Sequence, residues 1–262
     1  KGCGISLTTS KIWSFGKPNR LFVKYLPALC LMVLKYNHYR KGVSIMIEVT
    51  GLTKDYGKVV GAIDVSLMAL PGEITILLGE NGAGKSTTIK SITGLLKYKG
   101  QIKICGFDNR SIEAKKRFGY IPETPVLYDK LTVNEHIDFI GNAYDLADYH
   151  TEAERLLETF HLTEKRKTVA KELSKGMRQK LSMLLALLIS PKALLVDEPM
   201  MGLDPASIEE TLHLFDTLKK KGASVLISTH IIDVIDEIWD RAYIMKKGSV
   251  LTEVHRNNLN GE

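Results

Sequence analysis

The sequence predicts an α/β fold: a core of buried parallel strands and helices, interrupted by a helical insertion and joined by short antiparallel strands. Three observations carry this expectation. Glu73 to Leu78 reads as a buried strand, Gly79-Glu80-Asn81-Gly82-Ala83-Gly84-Lys85-Ser86 as a glycine-rich loop, and Thr87 to Ile92 as the helix that follows. Far downstream, Ala193-Leu194-Leu195-Val196 is a second buried strand that ends in Asp197-Glu198. Between these halves, apolar residues recur at helical spacing over Val133 to Tyr144 and Thr151 to Phe160, and Leu181 to Ile189 is almost wholly apolar.

The first 45 residues stand apart. Of 36 basic residues in the chain, eight fall here (Lys1, Lys11, Lys17, Arg20, Lys24, Lys35, Arg40, Lys41), and none of the 30 acidic ones does. Leu21 to Leu34 is apolar but broken by Lys24 and Pro27, has no small-residue cleavage site behind it, and is shorter than the ~20 apolar residues a spanning helix needs. We expect Met46 to be the natural start, with residues 1–45 translated upstream sequence or added material. Arg40-Lys41-Gly42 can be encoded by a purine-rich run of the kind that precedes a start codon. The alternative is a basic arm lying on a membrane surface. From Met46 onward the charges nearly balance, 28 basic against 30 acidic, although the whole chain is formally +6. A body so close to neutral has no electrostatic footprint for nucleic acid, and no nucleic-acid partner is expected. The three cysteines, Cys3, Cys30 and Cys105, form no C-x-x-C and fit a reducing compartment.

From Ile47 the elements follow in order. Ile47 to Val49 and Val59 to Leu67 read as strands joined by a turn at Asp55-Tyr56-Gly57-Lys58, and Gln101 to Ile104 as a further short strand. After the helical section, Leu181 to Ile189 ends at Ser190-Pro191, as helices before proline do. Asp204-Pro205 is an N-cap with a first-turn proline, opening a helix that runs to Lys219-Lys220-Lys221-Gly222, with its cations at the negative end of the dipole. Ala223 to Ser228 is the next strand and Ile231 to Trp239 another helix.

The loop Gly79 to Ser86 fits G-x-x-x-x-G-K-[ST] at every fixed position and sits between a strand and a helix, the context in which that pattern binds phosphate. Lys85 supplies a mobile cation for the outer phosphates and Ser86 a hydroxyl for Mg²⁺. Asp197 lies at the carboxyl edge of the sheet, where it can hold the same Mg²⁺, through water. Glu198, aimed elsewhere by strand alternation and the turn at Pro199, can act as base toward an attacking water. The expected ligand is a nucleoside triphosphate.

Between the two halves stands Leu173-Ser174-Lys175-Gly176-Met177. The succession of phosphate loop, L-S-x-G-x, apolar helix, strand with Asp-Glu, Gly-Leu-Asp and strand with His resembles the ATP-binding cassette (ABC) ATPase subunit from Ile47 to about Val254. The resemblance implies a P-loop NTPase core of the ABC ATPase type over residues 46–262, with an antiparallel β subdomain and a helical subdomain at about 124–190. It implies that Tyr56 stacks on adenine, that Gly79, Glu80, Asn81, Gly82, Ala83, Gly84, Lys85, Ser86 and Thr87 cradle the phosphates of ATP, and that Ser86, Glu123 and Asp197 hold Mg²⁺. Ser174 and Gly176 then contact the γ-phosphate bound by the opposite subunit, Gly202-Leu203-Asp204 is the loop through which subunits communicate, and His230 orients the γ-phosphate and water beside Glu198.

Two positions depart from the family pattern: Glu123 stands where glutamine is usual, and Lys175 where glycine is commoner. Both variants resemble a bacterial branch whose ATPases pair with separately encoded permeases, often exporters. The implied unit is an ATP-dependent homodimer or heterodimer, peripheral on the cytoplasmic face of the membrane, with residues around Thr124 to Leu131 against a transmembrane permease. The rival expectations are a non-transport ABC ATPase in translation or DNA maintenance, disfavoured by a single cassette without a coiled-coil insertion, and a weakly active regulatory cassette.

Overall fold

The computed structural model describes residues 45–57, 59–232 and 235–258, all within one compact unit. The expectation for the basic first segment therefore lies outside the described residues, Ile45 excepted.

Four strands form an antiparallel sheet: β1 (Ile47–Asp55), β2 (Val60–Ala69), β4 (Lys99–Ile104) and β5 (Phe107–Asp108), in the order β2-β1-β4-β5. Asp55 turns the first hairpin, its carboxylate accepting from Gly57 N at 2.6 Å while Tyr56 N donates to Val59 O at 2.9 Å. The second sheet has six strands: β3 (Ile74–Leu78), β6 (Phe118–Ile121), β7 (Ala193–Asp197), β8 (Ser224–Thr229), β9 (Arg241–Lys246) and β10 (Ser249–His255). Their order is β10-β9-β3-β8-β7-β6, parallel throughout except for the β9–β10 hairpin.

The helices are α1 (Lys85–Ile92), the single turn α2 (Ile112–Lys115), α3 (Val133–Ala143), α4 (His150–Thr159), α5 (Lys175–Leu188) and α6 (Pro205–Lys220). Strand alternation sorts the core into two clusters. Ile74 and Ile76 of β3, Leu194 and Val196 of β7, and Val225 and Ile227 of β8 join α5 and α6 on one face. Leu77, Leu195 and Leu226 point the other way, toward Ile89 and Ile92 of α1 and the antiparallel sheet. Strands buried on both faces are why the sequence shows unbroken apolar runs rather than alternation.

Two local expectations change. Leu181 to Ile189 is only the apolar part of α5, which begins six residues earlier at Lys175 because Ser174 caps it, accepting from Met177 N at 3.2 Å. None of the described residues of Ile231 to Trp239 is helical; they are turn, bend or irregular, with Ile235 N bonded to Ile232 O and Ile238 N to Ile235 O. These are bonds three residues back, and they let Ile235 and Trp239 both enter the core while Trp239 Nε1 donates to Asp236 Oδ1. The hairpin β9–β10 had no counterpart in the sequence reading. Its first residue, Arg241, is buried at the start of a strand and pairs with Glu73, just ahead of β3, and with Glu253 of β10, a charge the pattern reads as surface.

The segment between β6 and α3 is held by a residue the sequence did not single out. His136, buried on α3, has Nδ1 2.8 Å from Thr132 O, and its Nε2 accepts from Tyr128 N at 3.0 Å. An imidazole whose Nε2 accepts an N–H carries its proton on Nδ1. Replacing His136 with Phe keeps the ring volume and removes both bonds, so urea unfolding is expected to show a loss of about 1–3 kcal/mol.

Candidate nucleotide site

The parallel strands end level with one another: Leu78 of β3 pairs with Thr229 of β8, Asp197 of β7 with Ser228, and Ile121 of β6 with Val196. Everything that follows these ends converges on one edge of the sheet, where ligands bind in open parallel sheets. The glycine loop crosses that edge and runs into α1, whose N-cap is Gly84 at φ +101, with no side-chain cap and no acidic residue in the first turn. The positive end of α1 is thus left for an external anion. The loop is braced from outside by the β9–β10 turn, where Gly248 N donates to Ala83 O at 2.9 Å and Gly248 O accepts from Ile63 N at 2.7 Å. A Cβ at Gly79 would come within 2.4 Å of Met245 O, and one at Gly84 within 2.5 Å of Gly61 O, so close backbone approach dictates glycine at both.

The two acids at the end of β7 reach consecutive residues of the loop helix. Asp197, fully buried, accepts from Ser86 Oγ at 2.9 Å and from Ser228 Oγ at 2.5 Å, both on Oδ1. Its Oδ2 is buried with no partner. Glu198 takes a left-handed conformation, φ +46, uncommon for a residue with a side chain. Its N–H is held by Ser228 O at 3.1 Å and Ser228 Oγ at 3.2 Å. This backbone turn, more than strand alternation, aims its carboxylate. Oε1 lies 3.3 Å from Lys85 Nζ and Oε2 3.0 Å from His230 Nδ1, with the Lys85 and Glu198 side chains 5% and 11% exposed. Lys85 Nζ also donates to Gly79 O at 2.7 Å and Glu80 O at 3.2 Å.

Lys85, Glu198, His230, Ser86 and Asp197 are therefore one connected cluster. Ser228 belongs to it and was missed by the sequence reading, though a serine inside a fully buried strand, just ahead of Thr229-His230, was the available signal. Tyr56 stands at the rim, 51% exposed, its hydroxyl 3.5 Å from Thr87 Oγ1. The remaining expected residues lie apart from the cluster. Glu123, exposed beyond β6, has no hydrogen-bond or salt-bridge partner among the described residues. Ser174 and Gly176 open α5, which again has no acidic residue in its first turn, and a Cβ at Gly176 would meet Gly202 O at 3.3 Å. Asp204 caps α6: its two oxygens accept from Ser207 N at 3.0 Å and Ser207 Oγ at 2.9 Å, and these bonds hold its carboxyl below the usual range.

The donor set suits Mg²⁺. A serine hydroxyl and a carboxylate with one buried, unpartnered oxygen are hard oxygen ligands. No group of three or more His, Cys, Asp or Glu gathers among the described residues.

A family profile described as ABC transporter matches residues 63–201. The chain is 39% identical over 210 residues to the ABC-type transporter ATP-binding protein EcsA of Bacillus subtilis (strain 168), covering 78% of this chain and 85% of that protein. It is 36% identical over 222 residues to the bacitracin transport ATP-binding protein BcrA of Bacillus licheniformis, covering 82% and 72%. Among solved structures it is similar to the ATP-binding subunit of an ABC transporter, with TM-score 0.77 and 36% identity over 82% of this chain and 91% of that one. It is also similar to the dimeric post-hydrolysis state of the ATP-binding cassette MJ0796 bound to ADP and Pi, with TM-score 0.72 and 26% identity over 80% and 98%.

Proposed function

The chain belongs to the ABC transporter family as its ATP-binding and ATP-hydrolysing subunit, and from that premise we propose how its residues divide the work. The observation that carries the reading is the connected run Lys85–Glu198–His230 at the mouth of a bare helix N-terminus. Glu198 is tied to Lys85. Arriving β- and γ-phosphates compete for the Lys85 ammonium and release Oε1 to face water. That water attacks the γ-phosphorus, its proton passes to Glu198, and the bond to the bridging oxygen breaks with its electron pair leaving on ADP. His230 holds Glu198 by Oε2 and so fixes the base while the water approaches. Ser86 and Asp197 would hold Mg²⁺, with Glu123 brought in from the β6 edge; when bound, the cation offsets phosphate charge. Tyr56 offers an aromatic face to the adenine.

Ser174 and Gly176 have no hydrogen bond or ion pair to the phosphate loop of their own chain among the described residues, which supports a role toward the γ-phosphate of a second subunit. We therefore assign a head-to-tail homodimer or heterodimer that closes on ATP. The likeness to EcsA, an ABC-type transporter ATP-binding protein of which this chain covers 85%, supports a permease on a separate chain, with this subunit peripheral on its cytoplasmic side. Export is our reading of Glu123 and Lys175.

The permease contact is assigned to the segment after β6. Val126 is 87% exposed, and Tyr128 and Phe139, also exposed, stack edge to face at 5.5 Å, forming an apolar patch on rigid support from His136. Val126→Asp with Tyr128→Asp is expected to abolish co-purification of a membrane permease with the affinity-tagged subunit. ATP hydrolysis by the isolated subunit should stay within twofold of the parent. Retained co-purification would move the contact elsewhere.

A further inference from the structure

Four buried side-chain oxygens on the α1 side of the six-stranded sheet lack a partner among the described residues, Thr75 Oγ1, Ser224 Oγ, Asp197 Oδ2 and the Tyr120 hydroxyl, and the last two lie on neighbouring strands, β7 and β6. The register puts them on the same face. Tyr120 of β6 lies opposite Leu195 of β7, both pack in the cluster beneath α1, and Asp197 is two residues beyond Leu195 on that strand. That offset is about 6.6 Å, which a phenol leaning along the strand spans. Burial pushes the Tyr120 phenol far up, and the charges of Asp197 and Glu123 push it the same way. The hydroxyl therefore stays neutral, within the field of two carboxylates.

A buried hydroxyl without a partner is costly, and such groups in folded proteins are ordinarily satisfied by water, an ion or a ligand. Asp197 Oδ1 is already used by Ser86 and Ser228, and the free oxygen does not bond Tyr120 directly. A third polar group is needed to satisfy both. We propose that Tyr120 is a positioning residue of the cation half-site, its hydroxyl oxygen accepting a hydrogen bond from a water in the hydration shell of the divalent cation that accompanies ATP. The inference rests on the reading of Ser86 and Asp197 as that half-site. It gives the enzyme a neutral acceptor near two anionic groups, holding a cation-bound water without adding charge.

Tyr120→Phe removes only the oxygen, leaving the ring packed. The full chain, purified without nucleotide, is titrated with ATP by equilibrium dialysis, once with Mn²⁺ and once in EDTA. The ratio of the two dissociation constants reports how much the cation strengthens binding. In Y120F this ratio is expected to fall roughly three- to tenfold, the worth of one neutral hydrogen bond, with the EDTA constant unchanged within twofold. The nucleotide-free variant should melt at or above the parent temperature, because a buried unpaired hydroxyl has been removed. An unchanged ratio in Y120F, with a ratio near one in Asp197→Asn, overturns the role of Tyr120 and leaves the half-site standing. Ratios unchanged in both variants overturn the half-site itself. An equal loss in EDTA and Mn²⁺ makes Tyr120 a packing residue and overturns the proposal as well.

Discussion

Glu198→Gln is expected to lower ATP turnover by about 10²–10⁴-fold while ATP binding stays within a few-fold of the parent. The glutamine amide keeps the size and can still bond His230, but it cannot take a proton from water. Lys85 loses its carboxylate partner in the nucleotide-free protein yet keeps Gly79 O and Glu80 O as acceptors, so the loop retains its shape. Phosphate release under saturating Mg-ATP measures turnover, and dialysis against labelled ATP measures binding. Because hydrolysis is what opens the ATP-closed dimer in this reading, the variant should also elute as a dimer with ATP and as a monomer without it. Turnover comparable to the parent would remove Glu198 from the base role and leave His230 as the group to test.

Gly84→Ala is expected to weaken ATP binding by about 10- to 100-fold, and the cause is backbone, not chemistry. At φ +101 an alanine is outside the regions open to L-residues, a strain of roughly 1–3 kcal/mol. Its methyl would also sit 2.5 Å from Gly61 O, a backbone atom of β2 that can yield only if the strand moves. At about 1.4 kcal/mol per tenfold, the strain alone accounts for most of the predicted loss. The phosphate loop would relax by tilting its N–H groups away from the anion, so ATP and ADP should weaken together. Selective loss of ATP with ADP unaffected would point to Lys85 or Glu198 instead of the loop backbone.

Much of this site is legible in the sequence, because a phosphate cradle depends on main chain and on short-range order. Gly79 to Ser86 needs only its own spacing and the strand and helix either side. Asp204-Pro205 predicts the α6 cap that Ser207 completes, because capping is a contact over three residues. Asp197-Glu198 at a strand end is visible for the same reason, although the left-handed turn at Glu198 that separates their directions is not. What escapes is whatever depends on register between distant strands. Ser228 joins Asp197 only because β7 and β8 are neighbours, and Tyr120 shares a face with Asp197 only because β6 pairs with β7. The helix expected over Ile231 to Trp239 fails because tertiary burial of Ile235 and Trp239 outweighs a local helical period.

The sequence by itself determined the class of fold, the ligand and the order of the machinery, since each is written in contiguous motifs whose physics is local. Only the tertiary structure decided that Glu198 pairs with Lys85, and that Asp197 and Tyr120 each leave a polar atom unmet. The reason is that a lone pair or an ammonium is satisfied in three dimensions, by whichever strand end the sheet order places beside it. Bonds between distant residues, Ser86 to Asp197 at 111 positions apart and Ser228 to Asp197 at 31, turn a phosphate loop into half of a catalytic site.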